Sequence, residues 1–262
     1  MLNIYLIIVL APLIGSIVVG LAGNQLGRKL SHSITILGVA ISTLLSLYVF
    51  NHHVLNDADI FNQNIYTWMQ IGGLNISVGF LVDNLTSVML VVVSFVSLMV
   101  HIYTIGYMHD DKGYTKFFSY ISLFTFAMFT LVISNNFMQL FFGWEAVGLV
   151  SYLLIGFWHH KESAIEANLK AFLVNRVGDF GFLLGIALVL MFFGTLDYAE
   201  AFSQKDQIIG QTLFGGSAIT VVCLLLFVGA MGKSAQVPLH VWLPGSMEGP
   251  TPISALIHAA TM

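Results

Sequence analysis

Charge is what this sequence has least of. Only 8% of its 262 residues are Asp, Glu, Lys or Arg, against 57% hydrophobic residues, and its mean hydropathy is +0.88. A soluble domain carries about 25% charged residues. A chain so poor in charge cannot cover a water-exposed surface, which excludes a soluble enzyme and a disordered segment. The net charge of −4 also leaves no basic footprint for a nucleic acid. Cysteine is nearly absent. The single Cys223 excludes an intrachain disulfide framework and a multi-cysteine metal site, and it reads as a small buried hydrophobe. A basic leader is lacking: Met1-Leu2-Asn3-Ile4 opens directly into an apolar run to residue 21, too long for a signal-peptide core. There is no Gly-x-Gly-x-x-Gly fingerprint. Gly232-Lys233-Ser234 fails as a phosphate loop because position 227 holds Phe227.

What is present is a series of apolar runs of membrane-spanning length. They lie at about 2–21, 34–50, 85–107, 117–133, 137–158, 171–193 and 219–234, with another starting near residue 252. The expected fold is all-α, a polytopic transmembrane bundle of about seven complete spans plus the start of an eighth. The last run stops at Met262 in mid-span, the mark of a truncated chain. Cations outside the apolar runs collect in alternate loops: Arg28 and Lys29 in the first, Lys112 and Lys116 in the third, Lys161 and Lys170 in the fifth. By the positive-inside rule these loops are cytoplasmic (or matrix-side), and the N-terminus is outside. Loop two, residues 51–84, is long enough to fold; strand-like runs at 68–71 and 74–82 flank Gly72-Gly73, a hairpin signal.

The few charges within the apolar runs carry the functional reading. Glu145 lies about eight residues into the fifth run, so ~12 Å deep at 1.5 Å per residue. Lys233 ends the seventh run, shortly before Pro238, where a broken helix is expected. Arg176 and Asp179, spaced i,i+3, are expected at the start of the sixth, near the membrane edge. A charge at the bilayer centre costs at least about 2.5–3.5 kcal/mol. It is kept where it faces protein or water and has a partner. Glu145 and Lys233, on different spans, suggest an intramembrane acid–base pair. Burial favours the neutral form of both groups and pairing favours the charged forms, so two protonation states lie close in energy. That is what a proton relay needs; a structural ion pair that only fixes helix packing is the plainer alternative. His258, in the last run, and His240, in the proline-rich region after Lys233, are candidate proton carriers. Polar stripes could line a hydrated path or glue spans together: Glu145, Gly148 and Tyr152 on one, Asn168, Asn175 and Asp179 on another. Gly178, Gly181 and Gly185 point to close helix packing.

These motifs bring a family into view. Phe80-Leu81-Val82-Asp83, Val100-His101-Ile102-Tyr103, Gly106-Tyr107-Met108 and Gly143-Trp144-Glu145-Ala146-Val147-Gly148 are four of them. Asn175-Arg176-Val177-Gly178-Asp179, Pro238-Leu239-His240-Val241-Trp242-Leu243-Pro244 and the run from Glu248 to Met262 are the others. Together they resemble the largest antiporter-like membrane subunit of respiratory complex I, over essentially the whole chain. The resemblance implies a proton-translocating subunit of NADH–quinone oxidoreductase with no redox centre of its own. NADH, FMN, iron–sulfur clusters and quinone would be held by partner subunits. It implies a neighbouring antiporter-like subunit in the membrane arm, and a bacterial plasma (inner) membrane rather than a mitochondrial one. It implies that 1–116 are N-terminal helices and that 117–262 begin the first antiporter-like repeat. Glu145 and Lys233 match the family's paired residues, Asp179 a residue that interacts with them, and His258 an onward relay. The rivals are the large subunit of a multisubunit sodium/proton antiporter, the related hydrogenase subunit, and a scaffold whose buried charges only lock helices.

Overall fold

The computed structural model describes residues 1–213 and 215–260. Its first element, α1 (Leu2–Phe50), is two helices in one. Gly27 sits at φ 74°, ψ 173°, outside helical space, and turns the chain. Only glycine takes that left-handed φ without a Cβ penalty. The two arms fold back on each other: the Ser42 hydroxyl donates to the Ile8 carbonyl at 2.8 Å. A methyl placed on Gly38 would fall 2.9 Å from the Ala11 carbonyl oxygen.

Strands β1 (Phe61–Ile71) and β2 (Leu74–Val82) follow, antiparallel, turning at Gly72 (φ 56°) and Gly73 (φ 91°). Two successive positive φ values are what a tight hairpin turn requires. The first strand begins well before the apolar pattern suggested. Its extra residues, Asn62 and Asn64, are polar because they serve a polar dock: Asn135 Nδ2 donates to Asn62 Oδ1 at 3.1 Å and to Asn64 Oδ1 at 2.7 Å. Gly79 N donates to Gln139 Oε1 at 2.9 Å, and Leu81 N to the Ile133 carbonyl at 2.9 Å.

The membrane helices then run as α2 (Asn84–Tyr107), α3 (Tyr114–Val132), α4 (Phe137–Ile155) and α5 (Glu162–Phe193). Asp83 caps α2 by accepting from Thr86 N at 2.7 Å, and Asn136 caps α4 by accepting from Gln139 N at 2.8 Å. Each satisfies a backbone donor the helix start leaves open. Helix α3 is apolar nearly all round and buries Phe117, Phe118, Phe124 and Phe129 completely, so it forms the centre of the bundle. Short α6 (Tyr198–Ser203) leads to α7 (Ala218–Lys233). After a non-helical stretch come α8 (Leu243–Ser246) and α9 (Thr251–Ala260).

The loops sort to two ends. Arg28 of the first loop donates to the His109 and Asp111 carbonyls of the third, and Asp111 accepts from Nε1 of Trp158, in the turn after α4, at 2.9 Å. At the other end the hairpin, residues 134–136 and the α5–α6 connection meet: Phe137 N donates to the Leu196 carbonyl and Tyr198 N to the Asn135 carbonyl. The flanks between these ends are apolar and exposed, as at Leu37, Leu44, Phe95, Phe180 and Leu224. Such a belt suits lipid or neighbouring helices and not water. Cys223 lies on it, exposed. This corrects the expectation of a buried thiol: α7 packs on one side only, and Cys223 is on the other.

Candidate functional site

Helices α4, α5 and α7 bring four charges together, two carboxylates and two cations. Glycines set the spacing. A methyl on Gly178 of α5 would lie 3.1 Å from Gly232 Cα of α7, and one on Gly229 of α7 would lie 2.6 Å from Phe182 Cβ of α5. The two backbones are thus near contact just where Asp179 and Lys233 face each other.

Asp179 is the hub. It is 5% exposed, and its Oδ1 accepts from Trp144 Nε1 at 2.7 Å. The same Oδ1 lies 3.9 Å from Lys233 Nζ, and Oδ2 lies 3.9 Å from Arg176 Nη1. Glu145, on α4, forms an ion pair with Arg176 through Oε2. Its other oxygen, Oε1, is buried with no hydrogen-bond partner among the described residues. Lys233 is 7% exposed, with Nζ beside α4 at Gly148. The Trp144 ring stacks on Phe182 with centroids 4.9 Å apart, which fixes the donor on Asp179. Arg176 rests over the Phe172 ring at 4.8 Å.

One sequence expectation changes. The direct Glu145–Lys233 pair is not formed: Glu145 pairs with Arg176, and Lys233 faces Asp179. Helix α5 begins at Glu162, so Arg176 and Asp179 continue the helix of the fifth loop.

A small cavity adjoins the cluster, bounded by Gly148, Tyr152, Asn175, Asp179, Lys233 and Trp242. It offers about 30 Å³ to water-sized solvent, and a water needs about 10–15 Å³ on that measure. Ile257 of α9 also lines it; His258, the next residue, is half-buried and is not among the residues that line the cavity. His240 is not brought in: it is exposed in the connection between α7 and α8. Sequence reasoning did not single out Trp144 or Trp242 for a role at the site. Trp242 is 3% exposed and donates to the Gly232 carbonyl at 3.0 Å, closing the turn after Lys233. The signal for Trp144 was its place in mid-run beside Glu145, away from either end.

Among the described residues no group of three or more His, Cys, Asp or Glu could hold a metal ion. The chemistry on offer is proton exchange between two carboxylates, an ammonium and a few waters.

Comparison with known proteins gives this arrangement a family. Residues 134–262 match the profile described as NADH:quinone oxidoreductase/Mrp antiporter, TM. Residues 68–118 match NADH-Ubiquinone oxidoreductase (complex I), chain 5 N-terminus. The chain is 66% identical to NADH-quinone oxidoreductase subunit L of Neisseria meningitidis serogroup B, over 99% of its own length and 40% of the relative's. It is 47% identical to the subunit L of Rickettsia felis (99% and 40%) and to NADH-ubiquinone oxidoreductase chain 5 of Dictyostelium citrinum (98% and 39%). It therefore spans about two fifths of the length of these curated relatives. In fold it is similar to a chain of the Mrp complex from Dietzia sp., with TM-score 0.83 and 24% identity over 99% of this chain and 27% of that one. A chain of an archaeal membrane-bound sulfane sulfur reductase gives TM-score 0.83 and 19% identity over 98% and 51%. The chain belongs to the antiporter-like membrane subunits of NADH:quinone oxidoreductase and corresponds to the N-terminal portion of the subunit L/chain 5 type.

Proposed function

We propose that the chain is part of a proton-translocating membrane subunit of NADH–quinone oxidoreductase and forms a half-channel for protons. The carrying observation is a formally balanced cluster, with Asp179 and Lys233 buried, Glu145 half-buried and Arg176 more exposed, beside a cavity of water size. Arg176 is shared between Glu145 and Asp179, and Asp179 between Arg176 and Lys233. When Arg176 swings toward Glu145, Asp179 is left to stabilise the Lys233 ammonium. When Arg176 moves onto Asp179, Lys233 loses that support and releases its proton into the cavity. A charge change in a neighbouring antiporter-like subunit would bias the choice. Each proton moved outward works against about 2.3 kcal/mol per 100 mV. One ion pair at 3.9 Å, about 4 kcal/mol at an effective dielectric of 20, is on that scale.

In this reading the chain spans the membrane seven times, the two arms of α1 counted separately and α7 last, with α9 opening an eighth pass and helix seven broken between α7 and α8. The N-terminus and the hairpin lie outside, and the membrane is the bacterial inner membrane. Residues 117–262 begin the antiporter-like repeat, and His258 relays protons onward. The chain has no redox centre of its own; NADH, FMN, iron–sulfur clusters and quinone belong to partner subunits.

The test uses the full-length protein with Lys233→Ala in sealed inverted membrane vesicles, assembly checked on a native gel. NADH-driven acidification should collapse while the complex still assembles. Untouched acidification with loss of sodium-driven proton exchange would make this an antiporter subunit. Untouched acidification and exchange would leave the charges a scaffold.

A further inference from the structure

A buried base lies outside the carboxylate cluster, in the bundle of α1, α2 and α3. His101 of α2 has no exposed surface. Its Nδ1 lies 2.7 Å from the Ser97 carbonyl, one turn back on the same helix. A carbonyl oxygen only accepts, so Nδ1 carries the ring proton and Nε2 keeps its lone pair. That Nε2 is buried and has no hydrogen-bond partner among the described residues.

Its surroundings are otherwise carefully satisfied. Ser97 Oγ lies 2.6 Å from Thr125 Oγ1 of α3 and 3.3 Å from His101 Nδ1. Thr125 donates to its own helix at Ile121, and Thr43 of α1 donates to the Ser94 carbonyl of α2 at 3.2 Å. These hydroxyls glue three helices together, as small polar residues do in membranes. His101 is different. If the site needed only bulk, Phe, Leu or Met would supply it without burying an unpaired nitrogen, which is unfavourable. A second histidine stands nearby. The rings of His101 and of His32, on α1, lie 6.1 Å and 6.0 Å from the Phe118 ring. His32 Nδ1 is 2.9 Å from the Tyr114 hydroxyl, and His32 is partly exposed at the end where the cation-bearing loops gather. The titratable groups around Phe118 are thus His101, His32 and Tyr114, with Arg28 over the Tyr114 ring at 5.5 Å.

We propose that His101 is a proton-binding station in the α1–α2–α3 bundle, held through Nδ1 and taking up a proton, by way of water, at Nε2. Uptake converts neutral imidazole to imidazolium, and release returns the same proton from Nε2, so nothing is oxidised or reduced. The Ser97 and Thr125 hydroxyls reorient their lone pairs toward the charged ring. The His32–Tyr114 pair is the next station toward the cation-rich end, and Phe118 controls passage between them. This lies outside the Glu145–Lys233 region and would give the subunit a second place to hold a proton.

The test is solid-state nitrogen NMR of the full-length, histidine-labelled protein in lipid bilayers, with His101→Gln to assign the signal. The expected result is a cross-peak between Nε2 and water, with conversion to the cationic form on acidification. A signal that stays neutral and dry down to pH 5 overturns the proposal, whatever becomes of the translocation reading. A second readout is the proton-to-electron ratio of the assembled complex carrying His101→Gln. The ratio should fall at unchanged NADH oxidation, and a parental ratio overturns the proposal.

Discussion

Gly148→Ala displaces Lys233 without touching a charge. A Cβ built on Gly148 would lie 2.5 Å from Lys233 Nζ, with the next Lys233 atom, Cε, at 3.8 Å. Van der Waals contact needs more than 3.4 Å, so the ammonium must withdraw by about 1 Å, and as the free end of a flexible side chain it can do so at little cost in folding. The electrostatic cost is larger. Moving the ammonium by about 1 Å along its 3.9 Å separation from Asp179 changes the pair, worth about 4.3 kcal/mol at an effective dielectric of 20, by about 1 kcal/mol. A change near 1 kcal/mol is about fivefold in the balance between the paired and released states. The assay is the proton-to-electron ratio of NADH-driven acidification in inverted vesicles, with assembly checked by native gel. The matched control is Gly106→Ala, on α2, where an added methyl meets nothing within 4 Å. Gly148→Ala should assemble and translocate poorly, and Gly106→Ala should match the parent. Equal ratios for both variants would refute the idea that Lys233 must hold its place between α4 and Asp179.

Three further outcomes follow from the contacts. Asp179→Ala leaves Lys233 buried without its facing carboxylate and frees Trp144 Nε1, and removing one partner of a buried pair costs about 3–5 kcal/mol. A melting temperature in detergent equal to the parent's would sink that claim. Asn135→Ala removes two side-chain bonds that hold β1, worth about 1–2 kcal/mol together. Limited proteolysis should then cut residues 51–84 faster than in the parent, and an unchanged rate would count against the dock. Tyr198, in the connection after α5, is half-buried, and desolvation pushes its phenol up to about 12. The folded state therefore binds this proton more tightly than the unfolded one. The resulting stability is whole below about pH 10 and is lost as pH rises through 12. Phenolate absorbance should show fewer tyrosines titrating near pH 10 than in the unfolded protein, and Tyr198→Phe should shrink the high-pH step by one phenol.

Much of the molecule was legible in the sequence because membranes impose simple rules. Without water in the hydrocarbon layer the backbone must satisfy itself, so long apolar runs are helices. Cations gathered in alternate loops, Lys205 excepted, sorted those loops into two groups, and Arg28, Asp111 and Trp158 meet at one end as that grouping requires. The scarcity of charge singled out Glu145, Arg176, Asp179 and Lys233, because each costs so much inside a bilayer that it must have company. Which company was decided only by tertiary structure. One-dimensional spacing cannot say how far one helix slides or turns against another. The fifth loop continues as helix into α5, which carries Arg176 and Asp179. The glycines at 178, 229 and 232 then let α5 and α7 close until Asp179, and not Glu145, faces Lys233. The same three-dimensional packing buried His101 and left Cys223 on the outer face. Composition told what each residue is, and only the neighbours told what it meets.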